Sequence, residues 1–246
     1  MGWEFALFVL VGFFAQMVDG ALGMAFGIIA STSLIAAGTP PPLASAAVHA
    51  AEIVITGVSG TSHVLHKNVD WALFRRLAVP GVIGGVLGAY VLTGLSEEIV
   101  KPIVTVYLIL MTVLIFMRVL AKVHRQWNVP IPLLGTAGGF LDAIGGGGWG
   151  PIVTSTLLAS GDHPRGTIGT VNTTEFIVTT AISITFLTQL DLAQYGQVVL
   201  GLIAGGALAA PLAGYVIKKL PIRIALVLVA SVISVLTVVN VVNLVA

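Results

Sequence analysis

Residues 142–179 read as a degenerate copy of residues 19–56, displaced by about 123 positions. Asp19 falls on Asp142, Gly27 on Gly150, Gly38 on Gly161, Pro41 on Pro164 and Glu52 on Glu175. Each copy sets two carboxylates and a glycine cluster inside otherwise apolar sequence. Such a duplication confines the fold to two similar halves. Matched acids in apolar repeats are the usual build of a protein that carries a solute through a bilayer.

The surroundings of the repeats decide the solvent. The chain is 57% hydrophobic and 9% charged, with a mean hydropathy of +1.06. A soluble domain carries about 25% charged residues, so this chain has too little polar surface to cover a globule and must use lipid. The formal net charge of +1 gives no sign of a nucleic-acid partner. With no cysteine, disulfides, thiol catalysis and thiolate metal sites are excluded. The start, Met1-Gly2-Trp3-Glu4, lacks the basic segment of a signal peptide and the serine or threonine of a myristoylation signal.

Eight apolar stretches follow, at roughly 4–37, 43–65, 72–95, 98–120, 129–160, 167–190, 194–217 and 221–245. A membrane helix needs about 20 apolar residues. Six stretches have ordinary lengths. The first and fifth, as single helices, would run roughly 45–50 Å against a hydrocarbon core of about 30 Å. Both carry glycine at their middle: Asp19-Gly20-Ala21-Leu22-Gly23 in one, Asp142-Ala143-Ile144-Gly145-Gly146-Gly147-Gly148-Trp149-Gly150-Pro151 in the other. Glycine runs before proline oppose a continuous helix. Each long stretch is expected to be two half-helices, a hairpin or a discontinuous helix.

Lysine and arginine collect on cytoplasmic loops. Loop 2–3 has Lys67, Arg75 and Arg76; loop 4–5 has Arg118, Lys122 and Arg125; loop 7–8 has Lys218, Lys219 and Arg223. Loop 3–4 carries Glu97 and Glu98 against Lys101, and loop 6–7 only Asp191. If all eight stretches crossed, loop 7–8 would lie outside, against its charge. If the fifth enters and leaves on one side, every basic loop is inside. By analogy the first is also a hairpin, which places both termini outside. The expected architecture is therefore all-α and polytopic, one transmembrane domain over 1–246. It comprises two inverted repeats of four stretches each, about 1–122 and 128–246.

Four acids lie within apolar sequence: Asp19, Glu52, Asp142 and Glu175. A carboxylate at the bilayer centre costs about 2.5–3.5 kcal/mol on insertion scales, so these should face a site and not lipid. Asp19 and Asp142 stand just before the breaks, where a carboxylate can cap exposed backbone N–H groups; that reading and a proton relay both stand. Glu52 and Glu175 are mid-helix and read as proton-coupling or site-lining groups. The breaks themselves, at Gly20 and Gly23 and at Gly145, Gly146, Gly147 and Gly148, expose N–H groups that attract anions. The alternative is close helix packing through small residues. A nucleotide loop is excluded by the missing Lys-Ser/Thr ending.

Ser45, His49, Glu52 and Thr56 share one helical face. The second copy offers Asn172, Thr173, Thr174, Glu175 and Thr179. His49 could bind an oxyanion, relay a proton or simply pack; Asn172 is its repeat equivalent. His49, Asn172 and Thr173 join the glycines as candidate substrate-binding residues, and Gln16 is a weaker addition. His63, His66, Trp71, His124 and His163 read as interfacial, and the histidines lack metal-site spacing.

The glycine-rich segment 138–151 (Gly-Gly-Phe-Leu-Asp-Ala-Ile-Gly-Gly-Gly-Gly-Trp-Gly-Pro) resembles the signature of the TauE/SafE sulfite exporter family, also called the 4-toluene sulfonate uptake permeases. Met17-Val18-Asp19-Gly20-Ala21-Leu22-Gly23-Met24 resembles the version of the first copy found in one bacterial branch, without the family's common triple glycine. The resemblance covers essentially the whole chain. It implies a multi-pass carrier in the bacterial inner membrane for sulfite, sulfoacetate or a related sulfur-containing anion.

Together these readings point to a secondary transporter of a small anion, proton-coupled, alternating its access about a midplane site. The rival is a cation or metal carrier using the carboxylates directly. An enzyme is not expected, for lack of Asp-rich metal, Ser/His or zincin motifs. No cofactor or resident metal is expected. The expected partners are the anion, the lipid bilayer and, for assembly, a second copy of the chain.

Overall fold

The computed structural model describes residues 2–22, 24–120, 129–160, 164–191, 195–217 and 222–245. Among them only helices and their connections occur. The first long stretch forms α1 (Gly2–Leu22) and α2 (Phe26–Ala36), and the next three form α3 (Pro41–Leu65), α4 (Trp71–Gly94) and α5 (Glu97–Leu120). The fifth gives α6 (Ile131–Gly145), a π-helical turn (Gly150–Thr154) and α7 (Ser155–Ala159). The last three are α8 (Pro164–Gln189), α9 (Gly196–Ile217) and α10 (Ile222–Val245). The basic residues Lys122, Arg125, Lys218 and Lys219, with His124, His163 and Gly23, lie outside the described residues.

Local chemistry explains the boundaries. Asp70 caps α4 by accepting the N–H of Ala72 at 2.8 Å and of Leu73 at 3.1 Å. Proline stands in the first turn of α3 and of α6, where its missing N–H costs nothing. In the second copy α6 ends at Gly146, with φ 68°, and Gly147 follows with φ 141°. Both lie in the left-handed region, which glycine enters without a Cβ clash. In the first copy α1 runs on through Gly20, and the turn falls at Met24 and Ala25, where Ala25 has φ 111°. The break thus falls inside the expected segment 19–27, beyond Gly20 and before Gly27.

The packing is mirrored between the halves. α1 lies along α9, and α4, the repeat equivalent of α9, lies along α6, the equivalent of α1. α3 packs on its own equivalent α8, and α5 on α10. Backbones touch in both exchanged pairs. A Cβ on Gly84 would strike the carbonyl of Thr136, and one on Gly139 that of Gly81. Across α1 and α9, Gly12 meets the Leu202 carbonyl and Gly205 that of Val9. Small residues allow such contact where lipid removes the hydrophobic drive between helices. Because backbone cannot yield like a side chain, Gly139→Ala is expected to destabilise the protein by about 1–3 kcal/mol. Thermal unfolding in detergent would measure this.

α1, α3, α4 and α5 each contain a segment long and apolar enough to cross a bilayer. α8 is equally long but rich in threonine. Several of its hydroxyls are satisfied within the helix: Thr170 donates to Gly166 O, Thr173 to Gly169 O, Thr174 to Thr170 O and Thr180 to Phe176 O. A polar sequence can therefore occupy the interior, where α8 packs against α3, α4 and the π-helical turn.

Candidate functional site

The two breaks meet. Gly27, at the start of α2, is wedged against Gly147 Cα, the Gly146 carbonyl and Glu52 Oε1, leaving no room for a Cβ. Around this contact lies a cavity lined by Asp19, Gly27, Glu52, Thr56, Gly147, Gly148, Trp149, Gly150 and Glu175, among others. Residues from α1, α2, α3, the second break and α8 thus converge, both repeats contributing. Its free volume is about 10 Å³, room for at most one water.

Each repeat caps its own break. Asp19 Oδ1 accepts the N–H of Phe26 at 3.3 Å. Asp142 Oδ1 accepts the N–H of Gly148 at 2.6 Å and of Trp149 at 3.0 Å. Phe26 and Trp149 are repeat equivalents, so the same seven-residue reach is used twice. A half-helix N-terminus leaves unpaired N–H groups with partial positive charge, and the carboxylate answers both. The capping alternative raised by the sequence is therefore the arrangement found for both aspartates. The backbone donors expected to face an anion carry an internal carboxylate in this conformation.

The two caps differ in strength and surroundings. Asp19 is half-buried and, among the described residues, makes one long bond. Asp142 is fully enclosed, and its Oδ2 lies 3.3 Å from His49 Nε2. Ser45 donates to the Ala143 carbonyl at 2.6 Å, and Ser31 to the Gly145 carbonyl at 2.8 Å. These two hydroxyls satisfy carbonyls at the C-terminal end of α6, which the break leaves without helical partners.

Of the candidate residues, Asp19, Glu52, Glu175, Gly147 and Gly148 line the cavity. Asp142 and His49 stand behind its wall. Gly145 and Gly146 form the end of α6, and Gly20 lies within α1. Asn172 and Thr173 are displaced along α8: Asn172 Oδ1 accepts from Ser59 at 3.3 Å, and Thr173 lines a separate groove with Gly57 and Phe176. Gln16 is buried, and its side-chain oxygen has no partner. His63 contacts Asn68 near the end of α3, and Trp71 is exposed at the start of α4.

Two contributors escaped the sequence reading. The buried Tyr107 donates to the Gly147 carbonyl at 3.2 Å and covers Gly145 and Gly148. Trp149 is completely buried against Gly81 and Gly138, its indole N–H on the Val171 carbonyl at 3.2 Å. A lone phenol within an apolar span was the available signal for Tyr107. Trp149 merged with the glycine motif.

A family model described as sulfite exporter TauE/SafE matches residues 8–240. The chain is 38% identical over 240 residues to a protein of Bacillus subtilis (strain 168) named probable membrane transporter protein YtnM, covering 92% of this chain and 79% of that one. No solved structure matches. With both repeats inside the matched region, the chain belongs to the sulfite exporter TauE/SafE family and is a membrane transporter.

Proposed function

We propose that this protein is a secondary carrier for a small sulfur-containing anion, sulfite or an organosulfonate such as sulfoacetate, coupled to proton movement. The observation that carries the reading is the meeting of both helix breaks at one cavity with Asp19, Glu52 and Glu175 on its wall. The family description names sulfite export, and the relative is named a membrane transporter.

The chemistry follows from the caps. An anion can take the backbone donor of the first break only if Asp19 yields it, and a protonated carboxyl is the weaker acceptor. Proton uptake by Glu52 and Glu175 removes the repulsion an anion would otherwise meet. Proton and anion therefore favour each other's entry. The closed cavity must widen for the solute, and the exchanged pairs α1–α9 and α4–α6 offer two rigid units that could rock about it. If each split pair returns to its own side, three crossings remain per repeat. An odd number inverts the second repeat, with both termini outside a bacterial inner membrane. A homodimer would be compatible with this plan.

The test is sulfite flux into proteoliposomes with and without an imposed pH gradient. Gradient-driven flux that falls at least tenfold in Glu52→Gln or Glu175→Gln supports the coupled carrier. Flux indifferent to pH keeps the anion site and removes the coupling. The rival, a cation or metal carrier, would use the four buried carboxylates Asp19, Glu52, Asp142 and Glu175 directly. The family description, which names sulfite export, favours the anion. Competition by divalent cations would reverse that preference.

A further inference from the structure

His49 and Asp142 are both inaccessible to solvent, with relative exposures of 0% and 1%. The partners of His49 Nδ1 settle which ring nitrogen carries hydrogen. Nδ1 lies 2.8 Å from the Ser45 carbonyl, which can only accept. Its other neighbour, Ser45 Oγ at 3.3 Å, already gives its one proton to the Ala143 carbonyl. Both contacts therefore require Nδ1 to donate. A neutral His49 then turns a lone pair, at Nε2, towards the Asp142 carboxylate 3.3 Å away. Two lone pairs attract only if one proton lies between them, either on Nε2 or on Oδ2.

We propose that His49 and Asp142 share one exchangeable proton that locks the second helix break, and that its loss releases the Asp142 cap from the start of the π-helical turn. The same carboxylate that faces His49 through Oδ2 holds the N–H groups of Gly148 and Trp149 through Oδ1. Without the proton, Nε2 and Oδ2 repel in a buried setting where no water screens them. The carboxylate must then turn or withdraw, and both N–H groups are disturbed with it. The ring has little freedom to adapt: Phe186 lies beside it at 6.0 Å between centroids, and Thr179 donates to the His49 carbonyl at 3.4 Å.

Other titratable groups face this pair. Glu52 sits one turn along α3, Glu175 comes from α8, Asp19 from α1 and Tyr107 from α5. α2 contributes hydroxyls only. The lock is present in one repeat only. Asn172 replaces His49 in the second copy and engages Ser59, so the Asp19 cap has no such partner. The two breaks should therefore respond differently to pH.

The inference refines the proposed carrier, but its test needs no substrate. The first measurement uses lipid-embedded protein with His63, His66, His124 and His163 replaced by glutamine. It follows the ¹⁵N signals of His49 and the ¹³Cγ signal of Asp142 from about pH 5 to about pH 9. A protonated Nδ1 throughout, with a single proton shared by Nε2 and the Asp142 carboxyl that leaves as the pH is raised, is expected. An unprotonated Nδ1, or signals that do not change, overturns the proposal. The second uses the absence of native cysteine. In an Ile152→Cys variant, thiol labelling beside Gly148, divided at each pH by that of a freely exposed reference cysteine to remove thiolate formation, should rise several-fold as the proton leaves. Adding His49→Asn, which copies the second repeat, should flatten that profile. A profile unchanged by His49→Asn refutes the lock. Loss of sulfite flux alone would instead count against the substrate reading.

Discussion

Asp142→Ala should destabilise the protein by about 3–5 kcal/mol, whereas Asp19→Ala should cost only about 0.5–2 kcal/mol. The two residues are repeat equivalents with the same task, so the difference is a prediction of structure and not of motif. Removing Asp142 strands the N–H groups of Gly148 and Trp149 and leaves His49 Nε2 facing an empty corner, all deep in the protein. Removing Asp19 frees one N–H held at 3.3 Å by a half-buried carboxylate. Chemical or thermal unfolding in detergent measures both. Equal losses would show that the two caps are equivalent. Asp142→Asn should recover part of the loss, because its amide oxygen can still accept from the two N–H groups.

Gly147→Ala is expected to cost more than 4 kcal/mol, enough to prevent recovery of folded protein. Two independent penalties combine there. The backbone has φ 141°, where an L side chain is strained. The added Cβ would also run into the backbone of Gly27 and Ile28, which cannot move without separating the two breaks. Two other glycines isolate the causes. Gly38 has φ 93° but open space around it, so Gly38→Ala should show the strain alone, about 1–2 kcal/mol. Gly166 lies in α8 with nothing near its Cβ position, and Gly166→Ala should be neutral or stabilise by about 0.5–1 kcal/mol. Yield of monodisperse protein, followed by unfolding, ranks the three. A well-folded Gly147→Ala protein would show that the breaks need not touch.

Much was legible from the chain alone because the relevant physics is local. Among the described residues the eight apolar stretches correspond to α1–α10, with the two overlong stretches divided. Hydropathy marks what lipid accepts, and length marks what one helix can span. The glycine run that opens the second break also reads directly, since Gly146 and Gly147 take backbone angles closed to other residues. The repeat offset was equally visible, and it aligns Phe26 with Trp149 and Asp19 with Asp142 without any coordinates.

What lay beyond the sequence was which buried groups face one another. Glu52 and Glu175 occupy equivalent helical positions, and tertiary packing put both on the cavity wall. Asn172 shares the position of His49, yet it turns to Ser59 while His49 meets Asp142. Tyr107 reaches Gly147 from a helix whose sequence looks like plain lipid-facing span. These contacts join residues far apart in the chain. They depend on helix rotation and close backbone approach, which repeats and hydropathy leave open. Sequence determined a two-fold, lipid-dissolved bundle with a broken helix in each half; only the tertiary structure decided that aspartates close those breaks and that one of the two closures carries a histidine.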